Sequence, residues 1–330
     1  MDFLRDWFGK KVSIANPQEF VLADGAFTVS VSQQTADTRD GSIEMAVFAS
    51  SGLPTVGQQD IIICYSSRAG SIPQKVIDEL LKLFNSFYHL ALQGMTVQCG
   101  GFTGFRDKIL GFAGLLYVNA EIFAFLSNTK NKLLALFIGQ EAFTATVAFG
   151  VTRVAAALGR INHFYPTPVW TLIKRDPGWM AKMNQKSPLG MVPGINLPSA
   201  CATLSKQEIL MEIKSVDLSE FLEDYSYLPE NTPFYIKTHY SIQADGCLTW
   251  SDDGVLEAIT PHGSEGKKLT GAFISFIPFQ EEDNIKLVED GFFMSCTDQT
   301  YQKIVDALSN KTPLQLPLQG EFSSFTLRIG

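Results

Sequence analysis

Clusters of positive charge are scarce in this chain. Lysine and arginine together number 26 against 34 acidic residues, which gives a formal net charge of −8. Adjacent basic residues occur as the pairs Lys10-Lys11, Lys174-Arg175 and Lys267-Lys268, which are too short to form a patch. Binding to nucleic acid depends on clustered cations that displace counterions. The charge pattern therefore predicts a protein that does not bind nucleic acid.

Long hydrophobic runs are also missing. A membrane-spanning helix needs about 18 or more apolar residues without a charge. The nearest candidate runs from Glu141 to Leu158, and Arg153 interrupts it. No integral membrane segment is therefore predicted.

The first eleven residues lack the long apolar region of a secretory signal and contain acidic residues. Their apolar side chains Phe3, Trp7 and Phe8 fall on one side of a short helical pattern. This segment is either a lid packed on the fold or a contact for a partner or a membrane surface.

Cysteine and histidine are few and scattered. The five cysteines are an odd number, and neither they nor the four histidines show the spacing of metal ligands. No metal site is predicted, and the cysteines are expected to be buried thiols in a reducing compartment. The expected location is the cytoplasm, with delivery into a host cell as an alternative for a bacterial source. The cysteines are Cys64, Cys99, Cys201, Cys247 and Cys296.

Motifs for catalysis or cofactor binding are absent as well. The glycines between Gly100 and Gly104 lack the lysine and the helix start that a phosphate-binding loop needs, so a bend in a sheet explains them better. The sequence contains no G-x-S-x-G elbow. The acidic pair Asp252-Asp253 lies in a polar, turn-like stretch. The chain is predicted to use no cofactor and not to be an enzyme.

The chain does contain a large apolar fraction, 45% against 18% charged residues, which is enough for a sizeable core. Short runs rich in β-branched and aromatic residues predict an α+β fold with mixed and antiparallel sheets and a few packed helices, in two closely packed halves. The predicted strands cover residues 19–22, 27–31, 43–48, 60–65, 132–138, 169–173, 209–213, 234–241, 247–250, 269–277, 291–297 and 322–329, with further strands around a glycine-rich bend within 95–118.

Three segments have helical spacing. Ser71 as a cap and Pro73 in the first turn begin a helix that Gly94 ends. Residues 140–159 are apolar almost all round, which predicts one central buried helix. Residues 298–309 form an amphipathic helix, with its first aspartate as the cap or in the first turn.

Residues 174–200 contain four prolines and three glycines with little periodicity. Such a long connection is either functional or a linker. It divides the chain into an α+β half at 1–175, a connection at 176–200, and a strand-rich half with one helix at 201–330.

Arg153 is the single basic residue of the predicted helix over 140–159. A buried arginine needs a carboxylate or a carbonyl oxygen as its partner. We expect a structural ion pair ahead of a role in ligand binding.

The most conspicuous aromatic and methionine side chains lie on or beside the proline-rich connection. Such side chains on a loop either pack into a core or contact a partner, and both readings stay open. The candidate partner-binding residues are Trp170, Trp179, Met180, Met183 and Met191.

Four stretches form an ordered set: Val56–Ile63 with Ile72-Pro73, Gly114–Val118, Arg153–Pro168, and Thr270–Phe276 with Val288–Gly291. Taken in this order, they resemble the C-terminal domain shared by the scaffold proteins SARA (Smad anchor for receptor activation) and endofin. That family has a V-G-Q strand before an I/L-P helix, an arginine followed by L-G and Y-P-C-P, and a T-G-A strand before V-E-D-G.

This resemblance implies a module that binds proteins, with endosomal or receptor partners. The FYVE zinc finger and the Smad-binding segment of those scaffolds are missing here, so endosome targeting and Smad binding are not implied. The family supplies no catalytic residues. The order of strand, helix after proline, and strand is also similar to the suppressor-of-fused fold, an analogy of fold alone.

The predicted function is a non-enzymatic interaction or scaffold module with a protein partner. One alternative is a hydrolase with an unrecognised active site, in which Arg153, His163 or Cys99 meets a carboxylate. Another is a host-directed effector that mimics the scaffold domain.

Overall fold

A computed structural model describes residues 11–14, 16–38, 41–66, 70–122, 126–155, 192–225, 228–229, 231–241, 243–244, 246–250, 256–259, 268–288 and 290–330. These residues form two compact units. The first unit contains the described residues up to 144, and the second contains residues 145–155 and those from 192 onward.

The first unit is built on a seven-stranded mixed sheet. Its strands are β2 (Gln18–Leu22), β3 (Phe27–Thr38), β4 (Gly41–Ser51), β5 (Asp60–Ser66), β7 (Phe102–Ile109), β8 (Phe112–Asn119) and β9 (Lys132–Ile138). They lie in the order β2-β3-β4-β5-β9-β8-β7. The neighbours β5 and β9 run parallel, and the other neighbours run antiparallel. Short 3₁₀ turns cover Ala23–Gly25, Leu53–Val56 and Ala120–Ile122.

Helix α1 (Gln74–Leu92) packs its apolar side chains into the core of this unit. The prediction that Ser71 and Pro73 begin the helix was wrong. Residues Ser71–Pro73 form strand β6, which pairs antiparallel with β1 (Lys11–Ser13), so strand pairing overrides the local helix signal. The predicted end is confirmed: Gly94 has φ +78° and donates its backbone N–H to Ala91.

The core of the first unit lies between helix α1 and the seven-stranded sheet. Side chains at alternate positions of the central strands point toward the helix, as one covered face requires. The helix supplies Ile77, Leu80 and Phe84, and the strands supply Phe48 and Ile63 among other residues. Burial of these apolar surfaces is the main stabilising contribution to this unit.

Helix α2 (Gln140–Phe149) differs from its prediction in two ways. The predicted helix over 140–159 is broken at Gly150, which has φ +90°, and helical residues resume at 151–155. It is also not buried all round, because Val147 is 56% exposed while Ala145 is buried. Because this helix carries apolar residues on an exposed face, its apolar content overestimated how much of it is buried.

The second unit contains two sheets. The five-stranded sheet has the order β10-β13-β17-β19-β18, and the seven-stranded sheet has the order β15-β14-β16-β11-β12-β21-β20. The strands of the first of these are β10 (Gly194–Asn196), β13 (Phe234–Lys237), β17 (Phe273–Ile277), β18 (Asn284–Val288) and β19 (Gly291–Ser295). The seven-stranded sheet contains β11 (Cys201–Ser205), β12 (Glu208–Ile213), β14 (Gly246–Trp250), β15 (Leu256–Ile259), β16 (Lys268–Gly271), β20 (Leu314–Pro317) and β21 (Ser324–Ile329).

The strand predicted over 269–277 is two strands in two different sheets. Strand β16 pairs with β11, and β17 pairs with β13. The chain changes sheets at Ala272, whose N–H donates to the backbone oxygen of Asp290 at 2.7 Å. Periodicity along the chain cannot distinguish this arrangement from one long strand.

Two helices pack in the core of the second unit, α3 (Ser215–Tyr225) and α4 (Asp298–Asn310). The sequence predicted one helix in this half, and α3 was missed. Helix α4 is capped by Thr297, whose hydroxyl accepts the N–H of Thr300 at 3.3 Å. Asp298 lies in the first turn and accepts the N–H of Phe279, so the second of its two predicted roles is the observed one.

The α+β class with mixed sheets and a few helices is confirmed. The predicted division at 1–175, 176–200 and 201–330 stays a prediction, although strand β10 lies inside the stretch predicted to be a connection. The predicted strand at 169–173 and the N-terminal residues Phe3, Trp7 and Phe8 lie outside the described residues.

Candidate functional site

The second unit contains a fully buried ion pair. Arg153 lies in the helical residues 151–155, and its Nε is 3.3 Å from Oδ2 of Asp290. Both side chains are 0% exposed. The Cζ of Arg153 lies 5.7 Å from the ring centroid of Phe149, which adds a cation–π contact. The carboxylate of Asp290 is therefore one partner of this buried guanidinium, as an ion pair.

Asp290 is held in the turn between β18 and β19. Val288 pairs with Gly291 across this turn, and the backbone oxygen of Asp290 accepts the N–H of Ala272. Burial raises the pKa of the Asp290 carboxyl to about 6, and the charge of Arg153 acts in the opposite direction. The raised pKa means that desolvation outweighs the attraction of the guanidinium.

At two glycines near this turn, an aromatic ring of a neighbouring strand packs directly against the backbone. A Cβ at Gly271 would lie 2.5 Å from the ring of Phe292, and a Cβ at Gly291 would lie 2.5 Å from the ring of Phe273. Glycine is needed at both positions because an aromatic ring occupies the space of a side chain. The stretches around Arg153, Gly271 and Asp290, which are far apart in the sequence, thus meet in one place.

One face of strand β13 presents polar side chains near this pair. Along β13, Phe234 and Ile236 are buried while Tyr235 and Lys237 are half-buried, as strand alternation requires. His239 follows the strand and is also half-buried. The stem of Lys237 packs against Gly150, and the ring of Tyr235 lies over Gly194.

The titratable groups of this face influence one another. Burial lowers the pKa of Lys237. Burial, and then the charge of Lys237, lower the pKa of His239, while Asp217 acts to raise it. Burial raises the pKa of Tyr235 against the influence of Arg153. Burial is therefore the main influence on all three groups, and the alternation of the predicted strand over 234–241 was the signal that could have revealed this face.

A second feature is an apolar surface in the first unit. Four of the eight large hydrophobic side chains described as exposed fall between residues 90 and 102. We call these residues the 90–102 patch: Leu90 (39% exposed), Leu92 (58%), Met95 (53%) and Phe102 (42%). All four lie on one stretch of the chain, and exposed apolar side chains are candidates for a contact surface.

The segment that carries the 90–102 patch is anchored to the sheet by a buried glutamine. The N–H of Val97 donates to Oε1 of Gln58 at 2.7 Å, and Nε2 of Gln58 donates to the oxygen of Val97 at 3.2 Å. Gln58 is 1% exposed. Met95 is held back against the end of α1 by a bond from its N–H to the oxygen of Leu90. The patch is therefore presented on a fixed backbone.

Phe102 also begins β7, which lies at one edge of the seven-stranded sheet of the first unit. The pairing of β7 with β8 is regular from Phe102 to Gly104 and then shifts register before Ile109. The charged residues Arg106, Asp107 and Lys108 lie in the shifted part. Bulges and charges protect a sheet edge. Among the described residues no strand pairs with the outer side of β7, so residues 102–104 are the unprotected part of this edge there.

The residues predicted to bind a partner, Trp170, Trp179, Met180, Met183 and Met191, lie outside the described residues. Their role stays a prediction. His163 also lies outside them, and Cys99 belongs to the first unit, whereas Arg153 belongs to the second.

In the described ranges, no group of three or more His, Cys, Asp and Glu side chains is placed to hold a metal ion. None of the helices in them is long and apolar enough to cross a membrane.

The architecture defines an α+β protein with mixed sheets in each unit. In sequence, no protein-family model and no curated protein matches the chain. Among solved structures, it is similar to Drosophila Suppressor of Fused, with 9% identity and a TM-score of 0.36, over 91% of this chain and 88% of that one. It is also similar to a SUFU (suppressor of fused protein) homolog from Neisseria gonorrhoeae FA 1090, with 15% identity and a TM-score of 0.31, over 48% of this chain and 86% of that one.

Both TM-scores are low, so the fold class rests on the sheets and helices themselves. The similarity to the suppressor-of-fused fold noted in the sequence recurs among solved structures, but it carries no conclusion about function. Neither of these structures is of SARA or endofin, and that resemblance stays a prediction.

Proposed function

We propose that the chain is a non-enzymatic protein–protein interaction module that binds its partner through the 90–102 patch and the adjoining edge of β7. The observation that carries this function is the set of exposed apolar side chains on an anchored segment next to β7, which is an edge strand among the described residues. An extended segment of a partner would add a strand to β7 while its apolar side chains pack on the patch.

The buried ion pair favours a structural role over a catalytic one. In the hydrolase alternative, Arg153 would stand beside a carboxylate in an open pocket. Arg153 does meet a carboxylate, but neither it nor Asp290 has any exposed surface for a substrate to reach.

The more specific proposal, that the partner is an endosomal or receptor protein, rests on the resemblance to SARA and endofin.

The test begins with the full chain as bait and continues with purified components. Partners captured from a lysate are identified, produced and measured for direct binding to the full chain. We expect Leu92→Glu and Met95→Glu to weaken binding at least tenfold, because a charge on the patch opposes burial of its apolar surface. The matched control is Val216→Glu on α3, where Val216 is 55% exposed.

Backbone hydrogen exchange identifies the binding mode. Strand addition should slow exchange of the amides at residues 102–104 in the complex. If the patch variants bind as well as the control while Trp170→Ser or Trp179→Ser loses the partner, the contact lies in the segment predicted from sequence, and the patch assignment is wrong. If no directly binding protein is found, the interaction function itself is refuted.

A further inference from the structure

Phe279 is an aromatic side chain that the second unit exposes in a strained backbone conformation. It is 63% exposed, and its φ is +64°, a left-handed conformation that is rare for a bulky residue. Backbone outliers of this kind concentrate at functional sites. We propose that Phe279, together with Glu281 and Glu282, forms a contact surface for an arginine-bearing segment of a protein partner. This surface lies in the second unit and does not depend on the 90–102 patch.

Hydrogen bonds fix the turn between β17 and β18 that carries Phe279. The N–H of Phe279 donates to Oδ1 of Asp298 at 3.2 Å, and the N–H of Gln280 donates to the oxygen of Cys296 at 3.0 Å. At the other end of the turn, Oδ1 of Asp283 accepts the N–H of the residue that caps α4 at 2.8 Å. The turn is therefore bonded at both ends to the start of α4, and it presents the ring of Phe279 on a fixed backbone.

The charged side chains of this turn are all negative. Glu281 and Glu282 are exposed, and their Cα atoms lie within about 11 Å of that of Phe279, because consecutive Cα atoms are about 3.8 Å apart. Asp298, in the first turn of α4, is exposed as well. The next lysines along the chain lie on β18 and in the second turn of α4. The partner that complements this surface therefore carries positive charge.

Arginine suits both parts of this surface better than lysine does. Its planar guanidinium stacks on an aromatic face and also donates two hydrogen bonds to a carboxylate. A lysine ammonium supplies the same charge without the planar stacking. Exposed cation–π contacts and exposed ion pairs are individually weak, so binding depends on the ring and the carboxylates acting together.

The test measures the binding of two probe peptides, hexa-arginine amide and hexa-lysine amide, to the full chain by calorimetry. Hexa-arginine should bind more tightly than hexa-lysine. Phe279→Leu, which changes no charge, should weaken hexa-arginine binding about two- to fivefold through loss of the cation–π contact. Glu281→Gln with Glu282→Gln should weaken it about fivefold. The control pair Glu220→Gln with Glu223→Gln removes the same charge from exposed positions of α3 and should change the affinity less than about twofold.

Phe279→Gly separates a contact role from a packing role. Glycine adopts φ +64° without strain, so this variant should unfold at a urea concentration no lower than the wild type while it loses affinity for hexa-arginine. A clear fall in the urea midpoint would mean that the ring stabilises the fold, which overturns the surface. Hexa-lysine binding as tightly as hexa-arginine, or equal losses in the two glutamine pairs with none in Phe279→Leu, would show only a general attraction of the acidic chain for cations and would overturn it as well.

Discussion

The Nε of Arg153 lies 3.3 Å from Oδ2 of Asp290, and both side chains are completely buried. This pair joins the helical residues that follow Gly150 to the turn between β18 and β19. Because that turn also bonds to Ala272, where the chain passes from one sheet to another, one ion pair fixes three separate parts of the second unit. Its energetics are therefore the most informative feature to test.

Removing the guanidinium should destabilise the second unit strongly. Arg153→Met leaves the Asp290 carboxylate buried without a partner, and breaking a buried pair in this way costs about 3–5 kcal/mol. The same change in an Asp290→Asn background should cost much less, because no charge is then left unpaired. Urea unfolding of the two single variants and the double variant measures the coupling free energy.

The exposed pair Arg328–Glu212 is the matched control. Its atoms are 3.9 Å apart, with side chains 66% and 37% exposed. Arg328→Met should change the free energy of unfolding by less than about 1 kcal/mol, since solvent screens such pairs. Equal costs for Arg153→Met with and without Asp290→Asn would show that the buried pair is not coupled.

Asp290 should also make stability depend on pH in an unusual direction. Burial raises its pKa to about 6 in the folded chain, against about 3.9 for an aspartate in water, so the folded state holds the proton more tightly. The stabilisation from the protonated group is complete below about pH 4 and is lost as pH rises through about 6. A difference of two pKa units corresponds to about 3 kcal/mol.

The measurement compares the free energy of unfolding of the wild type with that of Asp290→Asn from about pH 4 to pH 7. Subtracting the variant removes the contributions of the other carboxylates. We expect the wild type to lose stability relative to the variant across this range. A relative gain as pH rises would mean that the attraction of Arg153 outweighs desolvation and that the pKa is lowered.

The sequence predicted one residue of the buried ion pair and missed the other. Arg153 was identified because a single cation interrupts an apolar helical pattern. Asp290 was not, because its partner lies 137 positions away along the chain and no local pattern links the two. The position of Lys237 beside this pair was also missed, since the packing of its stem against Gly150 depends on the folded surroundings.

Local sequence patterns also failed to predict parts of the fold that depend on contacts distant in the sequence. The alternation that predicts a strand at 269–277 is real, but it cannot show that Ala272 separates strands of two sheets. Ser71 and Pro73 are good helix-starting residues, yet pairing with β1 places them in a strand. Helix α3 was missed although Leu218, Phe221 and Leu222 have helical spacing.

Gly271 should not tolerate a side chain. A Cβ there would lie 2.5 Å from the ring of Phe292, which is 0% exposed. Gly271→Ala should therefore lower the free energy of unfolding by about 1–3 kcal/mol through overpacking. Gly139→Ala is the control, because nothing lies within 4 Å of its added Cβ. Equal stability of the two variants would show that the ring of Phe292 can move aside.

The five cysteines, none of which is in a disulfide, should differ in their reactivity toward a thiol reagent. The thiolate is the reacting form. Burial raises the pKa of Cys201 to about 11 and that of Cys296 to about 12, and it also raises the pKa of Cys64. Cys247 is completely buried. Cys99 is half-buried on the segment that carries the 90–102 patch, so we expect it to react first in the native chain.

Mass spectrometry after brief labelling identifies which thiol has reacted. Cys99→Ser should remove the fast phase and leave the slow reaction of the other thiols, and all five thiols should react at similar rates in denaturant. Labelling of Cys201 as fast as Cys99 would mean that the strand pairing around β11 opens readily. Slow labelling of Cys99 in the complex with a partner, together with unchanged labelling in Leu92→Glu, would connect this cysteine to the contact surface.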